Sequence, residues 1–168
     1  MSVAMLCVAL VLLVYAALHD LAVRTVPNSV AALLLIVGAA LRGFEHNLLP
    51  ALAFAVGLFL LLFAVWIAGL MGGGDVKLWG ASVLLVSPSI NAEFRYFADV
   101  VLFGGALALL YLLLSLAVPK PMASKAGSYL KRFFRVELWR IRRRAPLPYA
   151  CAIAGGAFAV LVPQILKL

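Results

Sequence analysis

The chain alternates long apolar runs with short polar breaks, and the breaks predict its elements. Ser2 to Leu18 is continuously apolar and closes on His19-Asp20. A bilayer span needs about 20 residues at about 1.5 Å rise, so this helix is expected over 2–19, with Asp20 at its C-terminal end. A link carrying Arg24 follows. Pro27 suits the first turn of a helix and pushes Val26 out of helical conformation. Asn28 and Ser29 are competent caps, and the second span is expected over 27–44. The Arg42-Gly43-Phe44-Glu45-His46-Asn47 stretch reads as a polar link, and 48–70 is a third span. Met71-Gly72-Gly73-Gly74-Asp75-Val76-Lys77 then interrupts the apolar pattern. The fourth span, 75–87, is short; a polar stretch to Phe97 reads as an outer loop, and the fifth and sixth spans are expected over 98–118 and 147–166. Between these two, in segment 119–146, Leu130, Phe133, Phe134, Leu138 and Ile141 recur at helical spacing among basic residues. That pattern predicts an amphipathic helix lying in the membrane interface.

Composition turns this pattern into a class. The chain is 67% hydrophobic and 12% charged, with a mean hydropathy of +1.16, where a soluble domain is about half apolar and about a quarter charged. The expected fold is all-α: a single polytopic membrane domain over 1–168, with about six transmembrane helices and the basic interfacial helix. The first apolar run has no Lys or Arg before it, which favours an uncleaved span over a signal peptide. Cys7 and Cys151 both lie in apolar runs and form no CxxC pair, so they read as small packing residues and imply neither disulfide nor metal.

The charge of +8 is unevenly placed, with nine of the fourteen basic residues between Lys120 and Arg144. A soluble protein with such a cluster would suggest nucleic acid. In a membrane protein it marks a cytoplasmic loop, with anionic lipid as the expected partner of Lys125 to Arg144. Six spans then put eleven basic residues on the cytoplasmic side and three, Arg42, Arg95 and Lys167, outside. Asp20 and Asp75 both fall on the cytoplasmic face.

Six acids are available for chemistry. Glu45 and Glu93 sit in outer loops and read as solvated charges. Glu137 lies among arginines, paired or exposed. Asp99 opens the fifth span, where the helix dipole favours it. Asp20 and Asp75 remain, each at the edge of an apolar segment, where a carboxylate is a functional-site candidate. Interfacial solvation is the alternative for Asp20. For Asp75 it is weaker, because three preceding glycines have no topological purpose. Gly69 and Gly73 are spaced for close helix packing; that accounts for part of the cluster and not for the acid. Two neighbouring carboxylates share one proton. The ionised one can activate water while the protonated one hydrogen-bonds the carbonyl under attack, with no metal, cofactor or covalent intermediate. On helix-dipole grounds Asp20 is expected to hold the proton and Asp75 to act as base. No HExxH or GxSxG occurs, and His19 and His46 fall on opposite sides. Lys77, two residues after Asp75, points to a different helix face; snorkelling to headgroups is the reading preferred over contact with substrate or loop.

These residues resemble a known family. Gly72-Gly73-Gly74-Asp75-Val76-Lys77 is similar to the GxGDxK motif of the type IV prepilin peptidases, membrane aspartic proteases of the GxGD class. Asp20, followed by Arg24 and Val26-Pro27-Asn28, resembles their first motif. Leu147-Pro148-Tyr149-Ala150-Cys151-Ala152-Ile153-Ala154-Gly155 resembles a third signature, with Ala150 in place of the usual glycine. The resemblance implies that Asp20 and Asp75 are the catalytic pair, supported by Gly72, Gly73, Gly74, Lys77, Pro27 and Asn28. It implies cleavage of the leader peptide ahead of the apolar helix of pilin precursors, at the cytoplasmic face of the bacterial inner membrane. Bifunctional relatives carry a paired-CxxC zinc insertion and also N-methylate the pilin. That pattern does not occur here, and the short form is similar to the tight-adherence (Flp pilus) peptidases, so no methyltransferase activity is expected. A small proton-coupled transporter and a catalytically inactive pilus-assembly subunit are the competing expectations.

Overall fold

The structure, a computed structural model, describes residues 2–117, 136–141 and 147–166. Its regular elements are helical: α1 (Ser2–Val23), α2 (Asn28–Phe44), α3 (Leu48–Ile67), α4 (Gly73–Ser82) continued by a 3₁₀ turn (Val83–Leu85), α5 (Ile90–Ala117) and α6 (Tyr149–Ile165). Three of them, α1, α3 and α5, are long and apolar enough to cross a membrane, and α2 and α6 are shorter apolar helices. The protein is thus an all-helical, polytopic membrane protein. The chain divides into two compact units, 1–104 with 148–168, and 105–147.

In the first unit, α4 is the centre. Val76 and every residue from Leu78 to Val86 is buried. Around it pack α2, α3 and α6, while α1 packs on α6 and α2. From Leu78 onward α4 is buried on every side, and its positions there are apolar except Ser82, which is hydrogen-bonded to Trp79 O and Tyr96 Oη; its first turn, with Asp75 and Lys77, is not fully covered. Small residues allow these helices to approach, as is usual where lipid removes the hydrophobic drive between spans. The buried stripe of α1 reads Leu6, Ala9, Leu13, Ala16, Asp20. Its spacing alternates three and four residues, one helix face, and Asp20 is its last member. A methyl group on Gly38 of α2 would lie 2.6 Å from Leu84 Cβ, and one on Gly156 of α6 would lie 2.8 Å from the Val100 backbone N. Both glycines are therefore packing positions.

Helix ends set the connections. α3 ends in a Schellman motif: Leu70 N–H donates to Val65 O at 3.2 Å, Gly69 N–H to Trp66 O at 2.9 Å, and Gly69 takes φ +73°. That conformation is why residue 69 is glycine. No atom lies within 4 Å of where its Cβ would be, so the expected helix-packing role does not apply to it. α2 ends the same way, with His46 at φ +56°.

Several expectations are corrected. α1 continues past residue 19 to Val23, and α3 stops at Ile67. The expected outer loop up to Phe97 is mostly helix, because α5 starts at Ile90. Asp99 therefore lies well inside α5 and faces Arg95 Nε at 3.8 Å. Glu93 is buried, 9% exposed, not solvated. Arg42, expected in a polar link, is 3% exposed. Its Nε donates to Leu84 O at 2.8 Å and its Nη2 to Leu85 O at 2.6 Å. Glu45 is held by Arg42 Nη1 in an ion pair, and the Glu93 carboxylate lies within the field of the same guanidinium. Arg42 thus satisfies the carbonyls where α4 runs out, which a helix end otherwise leaves open.

In the second unit, residues 136–141 are helical. Glu137 accepts from Tyr111 Oη at 2.5 Å and from Arg140 Nη1 at 3.3 Å, so it is paired as expected. The rest of the basic segment, with its expected amphipathic helix and lipid contacts at Lys125 to Arg144, lies outside the described residues.

Candidate active site

The site forms where α1 ends, α2 begins, α4 begins and α6 begins. Asp20 is in the last turn of α1 and is 5% exposed. Its stripe points it into the helix packing. Its Oδ2 accepts the Ala150 backbone N–H at 3.2 Å, across 130 residues of sequence. Ala150 is the second residue of α6, whose first-turn N–H groups have no partner inside the helix. Asp20 is therefore a tertiary cap for α6. Because the contact is to backbone, alanine at the family's glycine position leaves it intact.

The chain reverses directly after Asp20. Arg24 N–H donates to Asp20 O at 2.8 Å and Arg24 takes φ +61°. His19 Nδ1–H donates to Thr25 O at 2.7 Å, pinning the link. Pro27 is the N-cap residue of α2, outside the helix, and not its first turn as expected. Asn28 opens the helix and makes no capping bond. Its Oδ1 instead accepts from Lys77 Nζ at 3.1 Å. Lys77 thus ties α4 to α2.

Each glycine before Asp75 has its own reason. Gly72 is the N-cap residue of α4, and a Cβ there would lie 2.9 Å from Asp75 Oδ2. The Asp75 carboxylate folds back over the space that the missing side chain leaves. A Cβ on Gly73 would meet Trp66 Nε1 at 3.2 Å, and one on Gly74 would meet Val26 Cβ at 3.2 Å. The glycines seat α4 against the end of α3 and the α1–α2 link. Asp75 falls in the first turn of α4, where the helix dipole favours a negative charge.

Asp20 and Asp75 line one cavity of about 340 Å³, together with Arg24, Asn28, Gly72 to Gly74 and Lys77. The two carboxylates are near enough to repel one another. Pro27 is absent from the lining; it positions Asn28. Sequence reasoning missed the aromatic support. Trp79, one helical turn after Asp75, stacks on Phe97 at 5.3 Å and meets Tyr149 at 6.0 Å. The Tyr149 phenol lies within the field of Asp75. The Pro-Tyr-Ala signature was the available signal, since it places an aromatic beside the N–H that caps on Asp20. No group of three or more potential metal ligands occurs among the described residues. What remains is a pair of carboxylates in a polar cavity with room for water and a peptide segment, one buried and one partly exposed, which is the equipment of general acid and base catalysis.

The family model described as the type IV leader peptidase family matches residues 7–114. The chain belongs to that family. The match covers more than half of the chain and includes both aspartates, while the third signature lies beyond it. Family membership makes the protein a peptidase of the leader-peptidase kind. Searches of curated proteins and of solved structures returned no match.

Proposed function

We propose that the protein is an aspartic endopeptidase that removes the leader peptide of Flp-like type IV prepilins at the cytoplasmic face of the inner membrane. The observation that carries this reading is the shared cavity of Asp20 and Asp75, lined by the end of α1 and the starts of α2 and α4. In the proposed reaction the pair holds one proton. The ionised carboxylate takes a proton from water, whose oxygen attacks the scissile carbonyl. The protonated carboxylate hydrogen-bonds that carbonyl oxygen and gives it its proton. Collapse of the tetrahedral intermediate breaks the C–N bond: the amide nitrogen leaves with the proton that the base took from water, and one hydroxyl of the intermediate returns its proton to the carboxylate that had given it, so the pair again holds one proton. Gly72 makes room for the Asp75 carboxylate, and the Lys77–Asn28 contact holds the adjoining rim. The cytoplasmic placement is supported by the distribution of Lys and Arg. The basic segment is proposed to rest on anionic headgroups.

Asp20→Asn and Asp75→Asn should each remove cleavage of a co-expressed prepilin, a loss of roughly 10²-fold or more, while membrane insertion is retained. Processing that survives in either variant would overturn the pair. A proton-coupled transporter would leave processing unaffected by both. Incubating processed pilin with S-adenosylmethionine and the purified protein should transfer no methyl group, and transfer would refute the short-form assignment.

A further inference from the structure

α2 and α3 are joined by a short link, yet each packs more closely on α4 than on the other. The two helices splay, and a groove of about 420 Å³ opens between them with α4 as its floor. Ala32 and Leu35 of α2 form one wall, Val56 and Phe59 of α3 the other, and Gly80 and Ala81 the floor. At one end the groove is bounded by Asn28 and Lys77, which also line the cavity of the two aspartates. The groove and that cavity therefore meet at the Lys77–Asn28 hydrogen bond of 3.1 Å.

We infer that this groove seats the apolar helix that follows the scissile bond of the substrate, with the Lys77–Asn28 bridge as the threshold its backbone crosses to reach Asp75. The inference rests on the peptidase reading above. Direction and reach fit. From Asn28 to Leu35 the groove descends about 10 Å at about 1.5 Å per residue, two turns of a docked helix starting at the level of the aspartates. Surface chemistry fits as well. Ala32 adds little bulk on one wall and Ala81 little on the floor, while Phe59 packs over Gly80, so a docked helix can approach α2 closely along the Ala32 side. Leu35, Val56 and Phe59 are exposed or nearly so and offer apolar contact. A lipid acyl chain would find the same apolar walls, but it would draw nothing from the opening onto the aspartate cavity.

Ala32→Trp fills the groove from an exposed position, and Leu33→Trp places the same bulk on the far face of α2, where Leu33 is exposed and does not line the groove. In lipid nanodiscs, Ala32→Trp should raise KM for the precursor at least tenfold, and Leu33→Trp should leave it at the wild-type value. As a second measurement, independent of turnover, a benzophenone side chain at position 32 in the Asp75→Asn background should crosslink to the uncut precursor on irradiation. The same group at position 33 should not. If the wild type cleaves the precursor but Ala32→Trp keeps its KM and the position-32 probe captures only lipid, the groove assignment is overturned and the peptidase reading stands. If the wild type itself leaves the precursor intact, the peptidase reading is what fails.

Discussion

Gly72→Ala separates the positioning of Asp75 from the folding of the chain. Gly72 has φ −72° and ψ 139°, a conformation that any L residue adopts, so the backbone carries no strain after substitution. Replacing glycine by alanine at an N-cap costs a few tenths of a kcal/mol to about 1 kcal/mol. Restricting the unfolded chain returns about 0.4–1 kcal/mol. The net change in stability is therefore within about 1 kcal/mol. What the new methyl does meet is Asp75 Oδ2, at 2.9 Å, where ordinary contact begins at 3.4 Å. The carboxylate, the free end of a flexible side chain, must retreat by about 0.5 Å. A misplacement of about 1 Å at a reacting group costs about 10²-fold in rate, so half of that should lower kcat roughly tenfold. The assay is the time course of prepilin processing in detergent micelles, followed by gel mobility, alongside thermal unfolding of the same preparation. Gly57→Ala is the control, because nothing lies within 4 Å of its Cβ position; it should keep wild-type kcat. A Gly72→Ala enzyme within twofold of wild-type kcat would refute the proposed seating of Asp75. So would a kcat loss that merely tracks a fall of many degrees in Tm.

Other outcomes follow from the packing. Gly156→Ala places a methyl 2.8 Å from backbone at Val100; backbone yields less readily than a side-chain tip, so a loss of about 1–3 kcal/mol should appear as a lower Tm in micelles. Arg42→Leu leaves the Leu84 and Leu85 carbonyls without their donor and Glu45 without its ion-pair partner, and at about 1–3 kcal/mol for each buried acceptor left open it should lower Tm in micelles by several degrees. Lys77→Met keeps the apolar stem but loses the bond to Asn28, so kcat/KM should fall several-fold with Tm little changed, and Lys77→Arg should retain more activity than Lys77→Met.

The helices and the two aspartates were legible along the chain for the same reason. Both are local facts: a run of apolar residues long enough for lipid, and a carboxylate where such a run stops. Even the inward aim of Asp20 was present in the sequence, as the last member of the stripe that begins at Leu6, although the run is too uniformly apolar for that stripe to stand out. Glu93 and Arg42 misled because polarity was taken for exposure. A charged residue between apolar runs is solvated only if nothing covers it, and here the end of α4 does.

The sequence by itself determined the class of protein, its apolar segments and the positions of the two candidate acids. Apolar length and carboxylate position need no knowledge of neighbours. The tertiary structure decided what those acids touch. It brought the Ala150 N–H to Asp20, gave each glycine before Asp75 a different neighbour, joined Lys77 to Asn28, and buried Arg42 against carbonyls of residues 84 and 85. Each of those contacts joins segments far apart in the chain, and burial and hydrogen bonding depend on which segments meet.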